Sequence, residues 1–438
     1  MPDPADSQPP NVYVVVPDRA AFVTRVDEAL QGTRAEDRRR LWVTVHSFPS
    51  LSLLEASFPP EVMEDAMREI EAHLRREYPE ILAMSRLQND EIACASLGPS
   101  EPLSLRGASA RKRRFALERI TVRGEPLFLS VRSGSSAYED GIDATELLRR
   151  AHVAHVTAGV RGQDDTQTYD HAMDRVVEAE ARLLGELVQA IERNELELVY
   201  QPQVDLASGR LVGAEALVRW SGDDGQPVPP GRLIAAAERA GSVVPLGGWV
   251  LRAACRQAAR WRADGLPPFH VAVNVSPIQL YRTDLVRSVT EALAAHDLPA
   301  SWLELEITES GAMAGGDEAV ETANTLRELG VALALDDFGT GTSSLSRLRE
   351  LPLTRLKIDQ SFVRHCPPKV EGRCLIRAIA AMGHSFGLRT LAEGVETAEQ
   401  LAYVTEAGCD EAQGFHFAAG LGPDALAAFA KARGVGAS

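Results

Sequence analysis

The chain is short of what several function classes require. Only five cysteines occur in 438 residues (Cys94, Cys255, Cys366, Cys374 and Cys409), odd in number, scattered and without a CxxC pair. That excludes a disulfide framework and a thiolate zinc site, and it fits a reducing compartment. No apolar run approaches the roughly 18 residues of a membrane span. The start, "MPDPADSQPPNV", has neither the basic region nor the apolar stretch of a signal peptide, so a cytoplasmic location is expected. Basic residues are outnumbered 46 to 62 by acidic ones, for a net charge of −16. This argues against non-specific binding to nucleic acid or to an anionic membrane, which reward clustered Lys and Arg. An anionic small ligand stays compatible where metal cations mediate the contact. The two basic runs, "RRR" at 38–40 and "RKRR" at 111–114, read as solvated faces.

What remains is an ordinary globular composition, 45% apolar and 25% charged, at a length that suits two or three domains. Residues 1–11 read as a disordered tail. From residue 12 to about 170, strand-like runs ("VYVVV", "LWVTVHSF", "EIACASL", "LFLSVRSG") mix with helix-like ones ("PPEVMEDAMREIEAHLRREY", "DATELLRRAHVAHVTAG"). That mixture predicts a modest α/β sandwich. In "AMDRVVEAEARLLGELVQAIERNE", Val176, Leu183, Leu184, Leu187 and Ile191 recur at helical spacing, which predicts an amphipathic connecting helix. Its second half is equally well read as a core helix of the next domain.

From Glu195 the rhythm changes. The runs "LELVYQPQ", "LVGAEALVRW", "HVAVNVS", "WLELEITES", "VALALDDF", "RLKIDQSF", "RTLAEGV" and "AQGFHF" are mostly separated by helical stretches. Strand–helix alternation over about 240 residues is what a closed parallel barrel needs. An open doubly wound sheet is the alternative, but "QPQVDLASGR" is not the glycine-rich nucleotide loop expected after its first strand.

Polar residues interrupt these runs: Glu215, Asn274, Glu306 and Glu309, the adjacent pair Asp336 and Asp337, Lys357, Glu393 and Gln413. A single Glu in an apolar strand usually faces solvent. Interruptions in seven separate runs point instead to one barrel mouth, where strand C-termini converge. Carboxylates gathered there repel unless hard cations sit among them, and an oxygen-rich Glu/Asp/Asn set suits Mg²⁺ or Mn²⁺. No His or Cys cluster suggests zinc. Asp336 and Asp337 would face opposite sides of an ideal strand; the glycines of "GTG" are expected to turn the chain so that both reach a metal pair. Such a pair suits in-line phosphodiester hydrolysis. "DDFG" also resembles the metal-binding turn of protein kinases, but no kinase-type glycine loop or "HRD" precedes it. "NVS" at Asn274 matches a glycosylation acceptor, a poor reading inside an apolar strand.

The second half resembles the EAL domain, the bacterial cyclic-di-GMP phosphodiesterase family, through "YQPQVDL", "EALVRW", "NVSPIQL", "ELEITES", "DDFGTGTSSL", "LKIDQSFV", "AEGVET" and "QGFHF" in family order. The resemblance implies a TIM-like (β/α)8-type barrel over 184–438 and hydrolysis of cyclic-di-GMP to linear pGpG. It implies that Glu215, Asn274, Glu306 and Asp336 hold one metal and that Asp336 bridges to a second held with Asp337 and Glu393. Lys357 and Gln413 would position the attacking water. Gln201, Leu217, Arg219 and Asp359 would contact substrate, and Glu309 would anchor the "DDFGTG" loop, near which members of the family pair as homodimers. Thr342 stands where the family usually has an aromatic, and Gly420 where it commonly has proline.

Residues 12–172 are similar, more distantly, to a GGDEF domain, the family that makes cyclic-di-GMP; residues 173–183 are the first half of the connecting helix. The clue is "MSRLQNDEIA", with Gln88 and Asn89 in place of the signature's two glycines and Asp90 and Glu91 retained. Both glycines let backbone approach a nucleotide. The usual metal aspartate corresponds to Thr44, with His46 nearby, and the inhibitory RxxD positions align to Pro79 and Leu82. A degenerate domain without cyclase activity is expected, with GTP as its candidate ligand and a change in barrel activity as the consequence. The competing reading of the whole chain is a non-catalytic cyclic-di-GMP receptor that signals to a protein partner; retention of the metal-site residues favours the enzyme.

Overall fold

The computed structural model describes the chain apart from residues 1–13, 16–17, 49–50, 52–59, 78–80, 89, 99–118, 130, 161–165, 283, 315, 340–348, 365–369 and 435–438. The expected tail at 1–11, the basic run at 111–114, Pro79, Asn89, Thr342 and Cys366 lie outside the described residues. Two compact units are present, Met1–Arg182 and Leu183–Ser438.

The first unit contains β1 (Val14–Val15), β2 (Leu41–Ser47), β3 (Ile81–Gln88), β4 (Glu91–Leu97), β5 (Arg119–Val122), β6 (Glu125–Phe128), β7 (Arg132–Ala137) and β8 (Thr166–Thr168). Six of them form one sheet in the order β1-β3-β4-β2-β7-β8, while β5 and β6 make a separate hairpin. Strand periodicity builds two cores. Leu41, Val43 and Val45 of β2 pack with Ala93 and Ala95 of β4 against Phe22, Val26 and Leu30 of helix Arg19–Gly32, and against Leu147 and Leu148 of helix Ala144–Val160. The alternate residues Ile92 and Cys94 pack against Met67, Ile70 and Leu74 of helix Pro60–Glu77. The result is an α/β sandwich. Helix Ala144–Val160 presses on β7 at Gly134, where a Cβ would lie 2.0 Å from the His155 backbone nitrogen.

The second unit is a closed eight-stranded barrel: β9 (Glu197–Asp205), β10 (Leu211–Arg219), β11 (His270–Val275), β12 (Leu303–Thr308), β13 (Ala332–Phe338), β14 (Arg355–Ile358), β15 (Arg389–Ala392) and β16 (Glu411–Gln413). Neighbours from β10 round to β16 are parallel. The wholly parallel barrel expected from the sequence needs correction at one strand, because β9 runs antiparallel to both β10 and β16. The cause is local. Residues 206–210, with Gly209 at φ 70°, are all that joins β9 to β10, and a parallel crossover needs a dozen or more residues.

One long helix, Ala172–Arg193, carries the chain into this unit. Its Leu183, Leu187 and Ala190 are buried in the barrel's core cluster. Around the outside, Tyr200, Trp261, Phe269 and Trp302 form a chain of ring contacts with centroids 4.7, 5.4 and 5.5 Å apart.

Inside the barrel, residues two apart share the inward face and stack as layers. Glu304 lies one layer below Glu306, Arg355 below Lys357, and Glu411 below Gln413. The upper members crowd the strand C-termini. Among the described residues no helix is long and apolar enough to cross a membrane.

Candidate active site

Lys357 is the centre of the upper layer. It sits on β14, and its ammonium Nζ lies 2.7 Å from Glu306 Oε2, 2.8 Å from Glu393 Oε1, 3.0 Å from Asp336 Oδ1 and 4.0 Å from Glu215 Oε2. Lys357 and Glu306 are fully buried, and Glu215 and Asp336 are buried at the rim. Burial works against the Lys357 charge, yet Asp336, Glu215, Glu306 and Glu393 together raise it well above the usual lysine range.

Asp337 adds a further carboxylate. Asp336, Asp337 and Glu393 each offer an oxygen, and these three atoms lie within 4.8 Å of one another. The two adjacent aspartates reach one place because Asp337 itself has φ 56°, in the left-handed region, and the β13–β14 pairing slips between Leu335 and Phe338. The turn was expected from the glycines of "GTG". It begins two residues earlier, in the aspartate, and continues at Gly339 with φ 96°. There a Cβ would lie 2.9 Å from the Phe362 ring. Such a conformation is uncommon for a residue other than glycine and is met at functional sites.

The cluster holds more negative charge than one ammonium can balance. Burial pushes Glu393 up to about 8 and Glu306 well above the carboxylate range, against the pull of Lys357. Burial, with Asp336 and Asp359 beside it, raises Asp337 to about 6. Burial and mutual repulsion thus disfavour the full set of negative charges. A hard divalent cation fits this donor set, all oxygen and in charge excess.

Neutral amides complete the wall. Asn274 Nδ2 donates to Glu215 Oε1 at 2.8 Å, and Gln413 Nε2 donates to Glu215 Oε2 at 2.5 Å and to Gln201 Oε1 at 3.0 Å. Gln201, Glu215, Asp336, Glu393 and Gln413 line one cavity of about 230 Å³, with Gln360, Arg364 and Phe415 among its other walls. Phe415 is 66% exposed there. These last three were not singled out from the sequence; Gln360 directly after "KID" and Phe415 directly after "QG" carried the available signal, and Arg364 lies one helical turn beyond Gln360.

The remaining candidates lie farther out. Leu217 and Arg219 are half-buried on β10 and do not line that cavity. The Arg219 guanidinium donates to the Val218 carbonyl at 2.9 Å. Gly420 adjoins it: a Cβ there would lie 3.5 Å from Arg219 Nη2 and 2.5 Å from Val199 Cγ2. Asp359 is buried, accepts from the Ser361 backbone N–H at 3.0 Å and neighbours Asp337. Glu309 stands apart from the cluster and accepts from the Gly339 backbone N–H at 3.0 Å, which ties it to the turn after Asp337.

Sequence reasoning missed a second buried layer. Arg355 is paired with Glu304 and, at 2.7 Å, with Glu411, which in turn lies 2.6 Å from Arg389. His270 and Gln203 complete it, both buried. In the first unit, Thr44 Oγ1 lies 3.0 Å from Ser135 Oγ and His46 Nδ1 lies 2.8 Å from Ser133 Oγ. Asp90 and Glu91 stand at the β3–β4 hairpin, and Leu82 is partly buried against the first core.

Comparison with known proteins gives the same region. The EAL domain family matches residues 184–419. MucR of Pseudomonas aeruginosa, a bifunctional diguanylate cyclase/cyclic di-GMP phosphodiesterase, is 32% identical over 405 residues, covering 91% of this chain and 58% of MucR. The cyclic di-GMP phosphodiesterase NbdA of the same organism is 39% identical over 316 residues, 72% of this chain and 40% of NbdA. A solved structure, the c-di-GMP complex of the PaMucR phosphodiesterase, aligns with TM-score 0.54 and 40% identity over 56% of this chain and 99% of that one. The chain spans between 36% and 58% of the length of such curated relatives. With an eight-stranded barrel, a carboxylate-rich mouth and a match over more than half its length, the chain belongs to the EAL domain family.

Proposed function

We propose that the barrel hydrolyses cyclic-di-GMP to linear pGpG. The observation that carries this reading is the convergence of Glu306, Asp336 and Glu393 on Lys357, with an Asp337 oxygen within 4.8 Å of those of Asp336 and Glu393. A receptor needs only to bind; an undiminished set of buried, mutually repelling carboxylates is costly to keep without chemistry to serve. Glu215, Asn274, Glu306, Asp336, Asp337 and Glu393 would hold two divalent cations, Mg²⁺ or Mn²⁺, which when bound offset the diester's charge and make water acidic enough to attack near neutral pH.

The chain's own groups do the rest. Lys357 keeps its proton and fixes three carboxylates at once, so they cannot splay when substrate enters. Asn274 and Gln413 each donate to one oxygen of Glu215 and hold its plane. Gln201, at the cavity wall, and Arg219, on the last residue of β10, are placed to receive the dinucleotide, the guanidinium serving a phosphate. Glu309 holds the turn that aims Asp337. Water's oxygen then bonds to phosphorus as the opposite ester bond breaks.

The first unit is a degenerate GGDEF-like domain in this reading. Its sandwich of helices on a mixed sheet and the reach of the MucR match across 91% of the chain support that. With serine partners at Thr44 and His46 in place of a metal carboxylate, it makes no cyclic-di-GMP; GTP is its candidate ligand. A homodimer near the Glu309-anchored turn is the candidate assembly. The test is hydrolysis by the purified chain with Mn²⁺ or Mg²⁺, with and without GTP, products separated by chromatography. Intact cyclic-di-GMP at saturating metal contradicts the enzyme reading, and a rate flat across physiological GTP contradicts the regulatory one.

A further inference from the structure

We infer that Gln203 is a positioning residue of the carboxylate site, acting through the amide of Gln413. The inference rests on the reading that Glu215 and Glu306 help to hold a cation. Gln203 lies on β9, the one antiparallel strand, opposite Gln413 of β16 on one side and Gly213 of β10 on the other. It is fully buried inside the barrel. Its two amide ends face different layers. Oε1 lies 2.8 Å from His270 Nε2, which itself lies 2.8 Å from Arg355 Nη1. Nε2 donates upward, to Gln413 Oε1 at 3.0 Å and towards Glu306 Oε1 at 3.5 Å.

An amide can be built either way round, and its neighbours decide. Reversing Gln203 would set its oxygen against the oxygens of Gln413 and Glu306, whereas His270 Nε2 below meets either end of the amide according to its tautomer. The observed orientation is therefore the one the upper layer enforces. Gln413 inherits it. With Oε1 taken by Gln203, Gln413 must point Nε2 at Glu215 Oε2, 2.5 Å away, and at Gln201 Oε1. A flipped Gln413 would bring oxygen against the Glu215 carboxylate. Gln203 thus gives the buried Oε1 of Gln413 its partner and holds in place the amide that donates to Glu215. Glycine at 213 makes the arrangement fit: a Cβ there would lie 2.1 Å from His270 Nε2 and 2.4 Å from Gln203 Oε1. Groups that orient a metal ligand from behind typically change metal affinity or turnover by about 10–100-fold when removed.

The test uses the full chain and two variants. Gln203→Met keeps the volume and deletes the amide; Gln203→Glu keeps the oxygen facing His270 and deletes the donor to Gln413, so it preserves the lower-layer partner should the first variant fold poorly. Mn²⁺ affinity is read by electron paramagnetic resonance without substrate, alongside kcat and KM for cyclic-di-GMP and the melting temperature in EDTA. The expected result is Mn²⁺ affinity and kcat both lowered about 10–100-fold in each folded variant, with KM within about 3-fold. Parental Mn²⁺ affinity and kcat in a folded variant overturn the inference alone. A kcat loss with unchanged Mn²⁺ affinity overturns the route through Glu215. A parent chain that binds no Mn²⁺ overturns the cation reading itself, and the inference with it.

Discussion

Asp336 and Asp337 are neighbours in the chain and neighbours in the site: both bring a carboxylate oxygen within 4.8 Å of Glu393, because the backbone turns left-handed at Asp337. Alternation along a strand would have sent them to opposite faces. One residue in an uncommon conformation converts a repulsive pair into a shared set of donors. Replacing Asp336 by Asn removes a charge from the centre of that set while keeping its shape. Turnover should fall by roughly 10³-fold or more, with an unchanged circular dichroism spectrum. Parental turnover of Asp336→Asn at saturating Mn²⁺ would sink the assignment of Asp336 as a metal ligand.

Lys357 is the cluster's resident cation, so its removal should cost stability as well as activity. Lys357→Met leaves Glu306, Asp336 and Glu393 without their partner. Breaking a buried ion pair typically costs about 3–5 kcal/mol. Urea denaturation in EDTA, followed by the fluorescence of the barrel residues Trp220, Trp249, Trp261 and Trp302, should show a loss of that order. Added Mn²⁺ should restore part of it, since a ligand of the folded state alone stabilises by mass action, by about 2.7 kcal/mol at 100 times its dissociation constant. A variant as stable as the parent in EDTA contradicts the role given to Lys357.

Glu309 acts on Asp337 at one remove, through the Gly339 N–H. A hydrogen bond to a charged group is worth about 1.5–3 kcal/mol, and here it holds a turn that Phe362 also crowds. Glu309→Ala should weaken Mn²⁺ binding about 10-fold, and Gly339→Ala should do at least as much, because its new Cβ collides with the ring. Titration calorimetry on both variants decides this; unchanged affinity in both would separate the turn from the metal site.

The first unit carries its own pH dependence. Burial, with His152 and Arg132 nearby, lowers His155 from 6.5 to about 4, and Ser47 Oγ lies 2.7 Å from its Nε2. The folded state therefore binds fewer protons at His155 than the unfolded chain does between those values. The contribution is fully present above pH 6.5 and is lost as pH falls towards 4, by up to about 3 kcal/mol. Glu91, half-buried and 3.9 Å away, is raised by burial and by Asp90 and works in the opposite sense above its ordinary 4.5. The clean observable is the difference between parent and His155→Gln in denaturant unfolding. It should shrink as pH drops from 7 to 5, and a difference independent of pH contradicts the burial argument.

Much of the barrel was legible because its upper layer is written as polar breaks in apolar runs. Glu215, Glu306, Asp336 and Lys357 each stand out in this way, and the structure brings them together. The lower layer was written in the same period of two, as Glu304 before Glu306, Arg355 before Lys357 and Glu411 before Gln413. It was passed over because a charge near a strand's start usually belongs to solvent. Gln203 was hidden for a similar reason: nothing local says that its strand runs backwards, although the brevity of "LASGR" implied it. The left-handed Asp337 was not legible, since aspartate is an unexceptional strand-end residue. In the first unit, alternation of Leu41, Val43 and Val45 foretold the sandwich, whereas the serine partners of Thr44 and His46 come from β7, far along the chain.

The most direct test of the central claim is the fate of cyclic-di-GMP incubated with the purified chain in Mn²⁺ and in EDTA, resolved by chromatography. The account predicts pGpG in the first, none in the second, and from Asp336→Asn in Mn²⁺ a rate lower by roughly 10³-fold or more. Tight binding of cyclic-di-GMP with no pGpG at saturating Mn²⁺ would contradict it and make the barrel a receptor.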